Sequence, residues 1–244
     1  MKEPKNNELA NAQGKKFVER VHGKYLWYSQ HGDPTFQPSL LYMSTELANP
    51  TTRTVEAAER IVGYAEKHPN RGVHYRASDM VLKIQSDASH HGLPGSRSVA
   101  GGIFYLTDKN DPPDRLNGQI DTLCKIIDTS VCAAASESEY ATLYMNGQRG
   151  CHPRVILNEL GYTQPPTTIY TDNIVAKGIA HDEVTLRRSK AVHTRYHWIR
   201  DRVRQNQYKI QYLKGNKLDA DFFTKPQPPI KQKHFSSRLV VPTT

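Results

Sequence analysis

The order of hydrophobic patterns after Gly72 constrains this chain more than any other feature. Val73–Arg76 and Val81–Asp87 read as a hairpin of two strands, and Ile103–Leu106 reads as a further strand after the double glycine Gly101-Gly102. Ile120–Ile126 follows as another strand beyond a loop containing Asn110-Asp111-Pro112-Pro113. A helical period then runs from about Ser136 toward Leu160, with an interruption expected near Gly150–Pro153. After Gln164-Pro165-Pro166 the patterns alternate: strand Thr167–Asp172, helix Asn173–Ala180, an amphipathic helix through Val192, Tyr196, Ile199 and Val203, then strand Tyr208–Leu213. Asp219–Phe223 opens a last short helix, ended by Pro226, Pro228 and Pro229. Strands in succession followed by interleaved helices and strands predict a layered α/β domain of about 150 residues.

Ahead of Gly72 the organised stretches have a helical period. Apolar positions at 17, 18, 21, 25 and 28 predict one helix, and residues 38–48 predict another, stopped by Asn49-Pro50. Thr51-Thr52 is placed to cap a third, through Val55, Ala58, Ile61, Val62 and Ala65 to His68-Pro69. Residues 1–16 are polar and aromatic-free, and are expected to be disordered. They contain no apolar signal-like core, so a secreted protein is not expected. Cys124, Cys132 and Cys151 are odd in number and fit a reducing compartment better than a disulfide framework or a zinc site. No run of about 18 apolar residues predicts a membrane span.

The net charge of +9 makes the chain a candidate polyanion binder. Acids held in the path of a polyanion then need a reason, and a divalent cation is the usual one. Asp87 and Asp172 each end a predicted strand, Glu139 lies in the first turn of the long helix, and Asp221 opens the final short helix. Strand-end acids on neighbouring strands would lie about 5 Å apart. Oxygen-only ligands suit hard cations such as Mg²⁺, and two such ions about 3.5–4 Å apart serve phosphodiester cleavage. Each acid also has a plainer reading, as turn former, helix cap or first-turn dipole partner. Spacing alone leaves these readings open.

Six short motifs bear on that choice. Ser86-Asp87-Ala88, Arg97-Ser98-Val99-Ala100-Gly101, Ser136-Glu137-Ser138-Glu139-Tyr140, Tyr170-Thr171-Asp172-Asn173, Arg195-Tyr196-His197-Trp198-Ile199-Arg200 and Ala220-Asp221-Phe222-Phe223-Thr224-Lys225-Pro226 occur in this order. In sequence and order they resemble motifs of the ribonuclease H domain of copia-type retrotransposon polyproteins. The resemblance spans about residues 38 to 227. Leu40–Ser44, Asn49-Pro50-Thr51 and Arg60–Tyr64 are similar to the end of the family's reverse transcriptase. No Tyr-x-Asp-Asp occurs in the chain, so polymerase activity is not expected. Two stretches depart from the family: His90-His91 stands where Asp-Trp is usual, and Leu123–Ile127 replaces Trp-Ser-Lys-Lys-Gln.

The resemblance implies a ribonuclease H-like mixed five-stranded sheet flanked by helices, preceded by a small helical module. The implied division is a disordered 1–16, a reverse-transcriptase remnant over 17–71, the nuclease over 72–227 and a loosely ordered tail over 228–244. It implies Asp87, Glu139, Asp172 and Asp221 as catalytic metal ligands for two Mg²⁺ ions, with Mn²⁺ as a substitute. Glu139 matches the family's Glu-Tyr pair, which leaves Glu137 as a solvent-facing acid. Arg188, Lys190, Arg195, His197 and Lys225 are candidates for contacting nucleic acid, the bland reading of the basic stretch being a solvated face. His193 and His197 are four residues apart on one predicted helix, but no third ligand supports zinc there. The implied partners are an RNA–DNA hybrid and the polymerase part of the polyprotein, in a cytoplasmic virus-like particle or the nucleus. Nothing in the sequence sets an oligomeric state. The competing readings are a decayed or co-opted fragment that binds nucleic acid without cutting it, and a transposase or integrase of the same broad fold.

Overall fold

The computed structural model describes residues 8–112, 115–127, 132, 134–184, 194–225 and 227–242, with Thr194 and Arg195 described by their backbone only. The chain divides into two units, one of residues 1–73 with 239–244, the other of residues 74–238.

In the first unit, α1 (Ala12–His31), α2 (Gln37–Ser44) and α3 (Thr52–Lys67) surround a core of Val18, Val21, Phe36, Leu40, Met43, Ala58 and Ile61. The start of α1 is set by Asn11, whose side-chain oxygen accepts from the Gly14 N–H at 2.8 Å. This helix therefore begins inside the stretch 1–16 that composition marks as disordered. Thr51 and Thr54 exchange side-chain and backbone hydrogen bonds at the start of α3, satisfying two donors that a helix end leaves open. A two-residue strand β1 (Arg71–Gly72) pairs antiparallel with β7 (Val241–Pro242).

The second unit is built on a sheet of β2 (Val81–Leu93), β3 (Arg97–Thr107), β4 (Gln119–Ile126), β5 (Thr167–Thr171) and β6 (Tyr208–Tyr212). Its order is β4-β3-β2-β5-β6, with antiparallel pairs β4–β3–β2 and parallel pairs β2–β5–β6. This is the mixed five-stranded sheet flanked by helices that the resemblance implied. β2 is central, and Val81–Asp87 is buried along its whole length rather than alternately, as expected for a strand covered on both faces. Leu82, Ile84, Phe104, Tyr140, Leu143, Ile169, Ile199 and Tyr208 form its core with α4 (Ala135–Glu159) and later helices.

Several elements differ from expectation. No strand forms over Val73–Arg76; Arg76 instead pairs with Asp108 and Asp111, and its N–H donates to Asn117 Oδ1 at 2.9 Å. β3 starts at Arg97, six residues before the expected Ile103, and runs through Gly101-Gly102. α4 continues unbroken past Gly150 and Pro153. Gly147 and Gly150 lie against the neighbouring side chains: an added Cβ would come within 2.6 Å of Ile199 Cδ1 and 2.7 Å of Ile84 Cδ1 respectively. These glycines serve close packing and do not mark a break. The segment expected as one amphipathic helix is a 3₁₀ turn, Thr194–His197, leading into α6 (Trp198–Arg204); α5 (Ile174–Ala180) precedes it. The expected loose tail contains α7 (Pro229–Leu239), where Phe235 packs on Phe222 at 5.9 Å between ring centroids.

Candidate metal centre

Asp87 stands within β2, paired with Gly101 of β3, because the β2–β3 ladder continues past it to Ala88–Ala100 and Ser89–Val99. The expectation that it ends its strand is corrected: the hairpin turns later, where Gly95 and Ser96 adopt positive φ. Asp172 follows the last residue of β5, which runs parallel to β2 with Gln85 opposite Tyr170. Continued by two residues, that register sets Asp172 beside Asp87. Glu139 comes from the start of α4, and its Oε1 accepts from the Ala88 N–H at 3.3 Å. These three elements bring one carboxylate oxygen each from Asp87, Glu139 and Asp172 within 4.8 Å of one another.

Asp87 and Glu139 are buried, whereas Asp172 is open to solvent. Burial pushes the Asp87 carboxyl up to about 7, opposed by a hydrogen bond from Thr224 and reinforced by the charges of Asp221 and Asp172. Burial pushes Glu139 up to about 9, with Asp87 and Asp172 adding repulsion. Asp172 is raised too, first by the partial withdrawal of its carboxyl from water and then by Asp221. Glu139 Oε2 is buried and has no hydrogen-bond partner among the described residues. A buried, unpartnered carboxylate oxygen among like charges is costly unless a cation or a proton attends it. The donor set is all oxygen, so the residues present fit a hard divalent cation.

The fourth acid is placed differently. Asp221 lies in the 3₁₀ turn Asp219–Phe223, half-buried, outside the close triad. Its Oδ1 is paired with Lys225, and its Oδ2 accepts from Gln227 Nε2 at 3.2 Å. It still acts through its charge on Asp87 and Asp172. Lys225 therefore sits at the cluster. Gly215 lies under Asp172, where an added Cβ would come 2.8 Å from Oδ2.

Arg188 and Lys190 lie outside the described residues, as does the side chain of Arg195. His197 is half-buried, 3.4 Å from the Tyr140 hydroxyl. Glu137 is not solvent-facing as expected: it is 4% exposed, and His90 of β2 and Cys132 both feel its charge. Sequence reasoning also passed over Thr224, Gln85 and Asn146. Thr224 Oγ1 donates to Asp87 Oδ2 at 2.7 Å, and Asn146 Nδ2 donates to Ser86 Oγ and the Gly101 carbonyl at 2.9 and 3.0 Å. Thr224 belongs to the same motif as Asp221, which was the available signal.

No protein-family model matches the chain. By sequence it is similar to the retrovirus-related Pol polyprotein from transposon TNT 1-94 of Nicotiana tabacum, 27% identical over 187 residues that make up 76% of this chain and 13% of that protein. It is also similar to the retrovirus-related Pol polyprotein from transposon RE1 of Arabidopsis thaliana, 26% identical over 213 residues, 84% of this chain and 14% of that protein. The chain thus spans 13–14% of the length of these relatives. Among solved structures, the foamy viral protease-reverse transcriptase in complex with RNA/DNA hybrid aligns with a TM-score of 0.47 at 12% identity, over 84% of this chain and 27% of that one.

Proposed function

We propose that the second unit is a ribonuclease H module of a retroelement polyprotein, cutting the RNA strand of RNA–DNA hybrids. The observation that carries this reading is the convergence of Asp87, Glu139 and Asp172, with an unpartnered Glu139 oxygen, in a chain similar to transposon Pol polyproteins. Asp87, Glu139 and Asp172 would hold Mg²⁺ or Mn²⁺, with Asp221 completing the set for a second ion. Such ions supply, when bound, the charge that favours a hydroxide-like nucleophile and offsets charge on the departing oxygen.

The chain's own residues prepare the site for this chemistry. Thr224 fixes one oxygen of Asp87, and the Ala88 N–H fixes one of Glu139. Burial and mutual repulsion raise the Asp87 and Glu139 carboxyls, so that a counter-charge favours their ionised forms. Overall, water adds at phosphorus and the bond to the 3′ oxygen breaks, leaving a 3′-hydroxyl and a 5′-phosphate as the resemblance implies. Lys225, beside the cluster, is a suitable contact for the scissile strand's phosphates, with His197, Arg188, Lys190 and Arg195 as further candidates. Hybrid recognition would rest on helix shape and 2′-hydroxyls. The helical first unit is read as the polymerase end of the same polyprotein.

A labelled RNA–DNA hybrid, incubated with and without Mg²⁺, tests the reading. The chain should cut the RNA strand only with the metal, and Asp87→Asn should lower the rate by more than about 100-fold, since loss of mere outer partners of metal ligands costs 10–100-fold. A chain that binds the hybrid but leaves it intact with Mg²⁺ or Mn²⁺ would establish instead a co-opted nucleic-acid binder.

A further inference from the structure

The turn that carries Asp221 is fastened to three adjacent strands. From β2, Gln85 Oε1 accepts from the N–H groups of Asp219 and Ala220 at 2.6 and 3.3 Å. From β3, Gly101 leaves a notch: a Cβ there would come 2.6 Å from Thr224 Cγ2 and 2.9 Å from the Ala220 carbonyl oxygen. From β4, Cys124 Sγ donates to the Phe223 carbonyl at 3.1 Å. Arg238 of α7 closes the far side on Asp219, with contacts of 2.6 and 2.9 Å. At the end of this turn Thr224 reaches back to Asp87, two residues beyond Gln85 on the same strand.

We infer that Thr224 is a positioning residue for the metal centre: its hydroxyl, set by this three-strand platform, locks the rotation of the Asp87 carboxylate. The hydroxyl has one proton, and the contact to Asp87 at 2.7 Å is shorter than that to the Asp221 carbonyl at 3.1 Å. With Oδ2 committed, the plane of the carboxylate is fixed toward Glu139 and Asp172 before any ion arrives. Without the hydroxyl, Asp87 would have to be ordered by the ion itself, at the expense of affinity.

This inference rests on the metal-centre reading, and its test separates it from the nuclease reading. Full-length wild type, Thr224→Val, Thr224→Ala and Thr224→Ser are titrated with Mn²⁺ alone by calorimetry, and separately assayed on the hybrid. Valine and alanine should weaken Mn²⁺ binding by about 10-fold, the usual scale for an outer partner of a metal ligand. They should lower kcat to match and leave KM for the hybrid unchanged. Serine, which restores the hydroxyl, should restore Mn²⁺ affinity, and alanine decides the matter if valine does not fold. Wild-type Mn²⁺ affinity in the alanine variant, or a serine variant as weak as the alanine, would overturn the inference. If no variant nor the wild type cuts the hybrid while the order of Mn²⁺ affinities holds, the nuclease reading fails and the positioning role stands.

Discussion

Asp87 and Glu139 are buried close together, and their ionisation couples the state of the site to pH. Their folded values, about 7 and about 9, lie above their ordinary 3.8 and 4.5. The folded chain therefore holds protons that the unfolded chain has released, and its stability falls as pH rises from about 4 through those values. Without metal, the melting temperature should drop between pH 5 and pH 9, and saturating Mg²⁺, which binds the ionised form, should flatten the decline. Glu139→Gln should remove much of the metal-free slope; a slope unchanged in that variant would place the titration elsewhere. At this scale the acids that cluster were legible because short motifs surround them. The burial of Glu137 was not, since a first-turn acid reads the same whether the turn is covered or open. Nor was the bond from Thr224 to Asp87, which joins residues 137 positions apart.

Long periodic elements were the readable ones: the helices of the first unit, the central strand, α4 and β5 all arise near where their patterns lie. Two of the misreadings fall at glycines, Gly101-Gly102 and Gly150. Gly101-Gly102 looks like a strand boundary, yet both sit inside β3 because side chains from distant parts of the chain fill the space above them. An added Cβ at Gly102 would come 2.0 Å from Asn146 Oδ1, on a buried side chain held by Ser86 and the Gly101 carbonyl. Gly102→Ala should therefore cost about 1–3 kcal/mol in urea unfolding, the usual penalty of overpacking. A Cβ added at Gly63 in α3 would meet nothing within 4 Å among the described residues, so Gly63→Ala should act in the opposite direction, stabilising by about 0.5–1 kcal/mol through helix propensity. The two alanines thus test whether a glycine is present for space or by tolerance.

For the molecule as a whole, the α/β class followed from the order of patterns, but the role of the last residues did not. A proline-rich, basic tail reads as loose, whereas α7 packs Phe235 on Phe222 and sets Arg238 on the buried Asp219. Those partners lie 13 and 19 residues back in the chain, outside the tail, and leave no periodic trace in it. Ending the chain after Pro228 would strand Asp219 as a buried charge without its guanidinium, a loss of about 3–5 kcal/mol for such a pair. The truncated protein should melt earlier and bind Mn²⁺ more weakly than the full chain, as followed by circular dichroism and calorimetry. Equal melting and equal affinity would show α7 to be dispensable.

The fastening of the Asp221 turn to the three strands has a consequence in time. Chains emerge from the ribosome at about 5–20 residues per second, N-terminal segments first. The strand bearing Asp87 is therefore made well before Thr224, and the two can meet only after 136 intervening residues have been synthesised. A nascent chain holds Asp87, Glu139 and Asp172 before Thr224 exists, so the proposed metal centre cannot be set until the Asp221 turn has been made and docked on its strands.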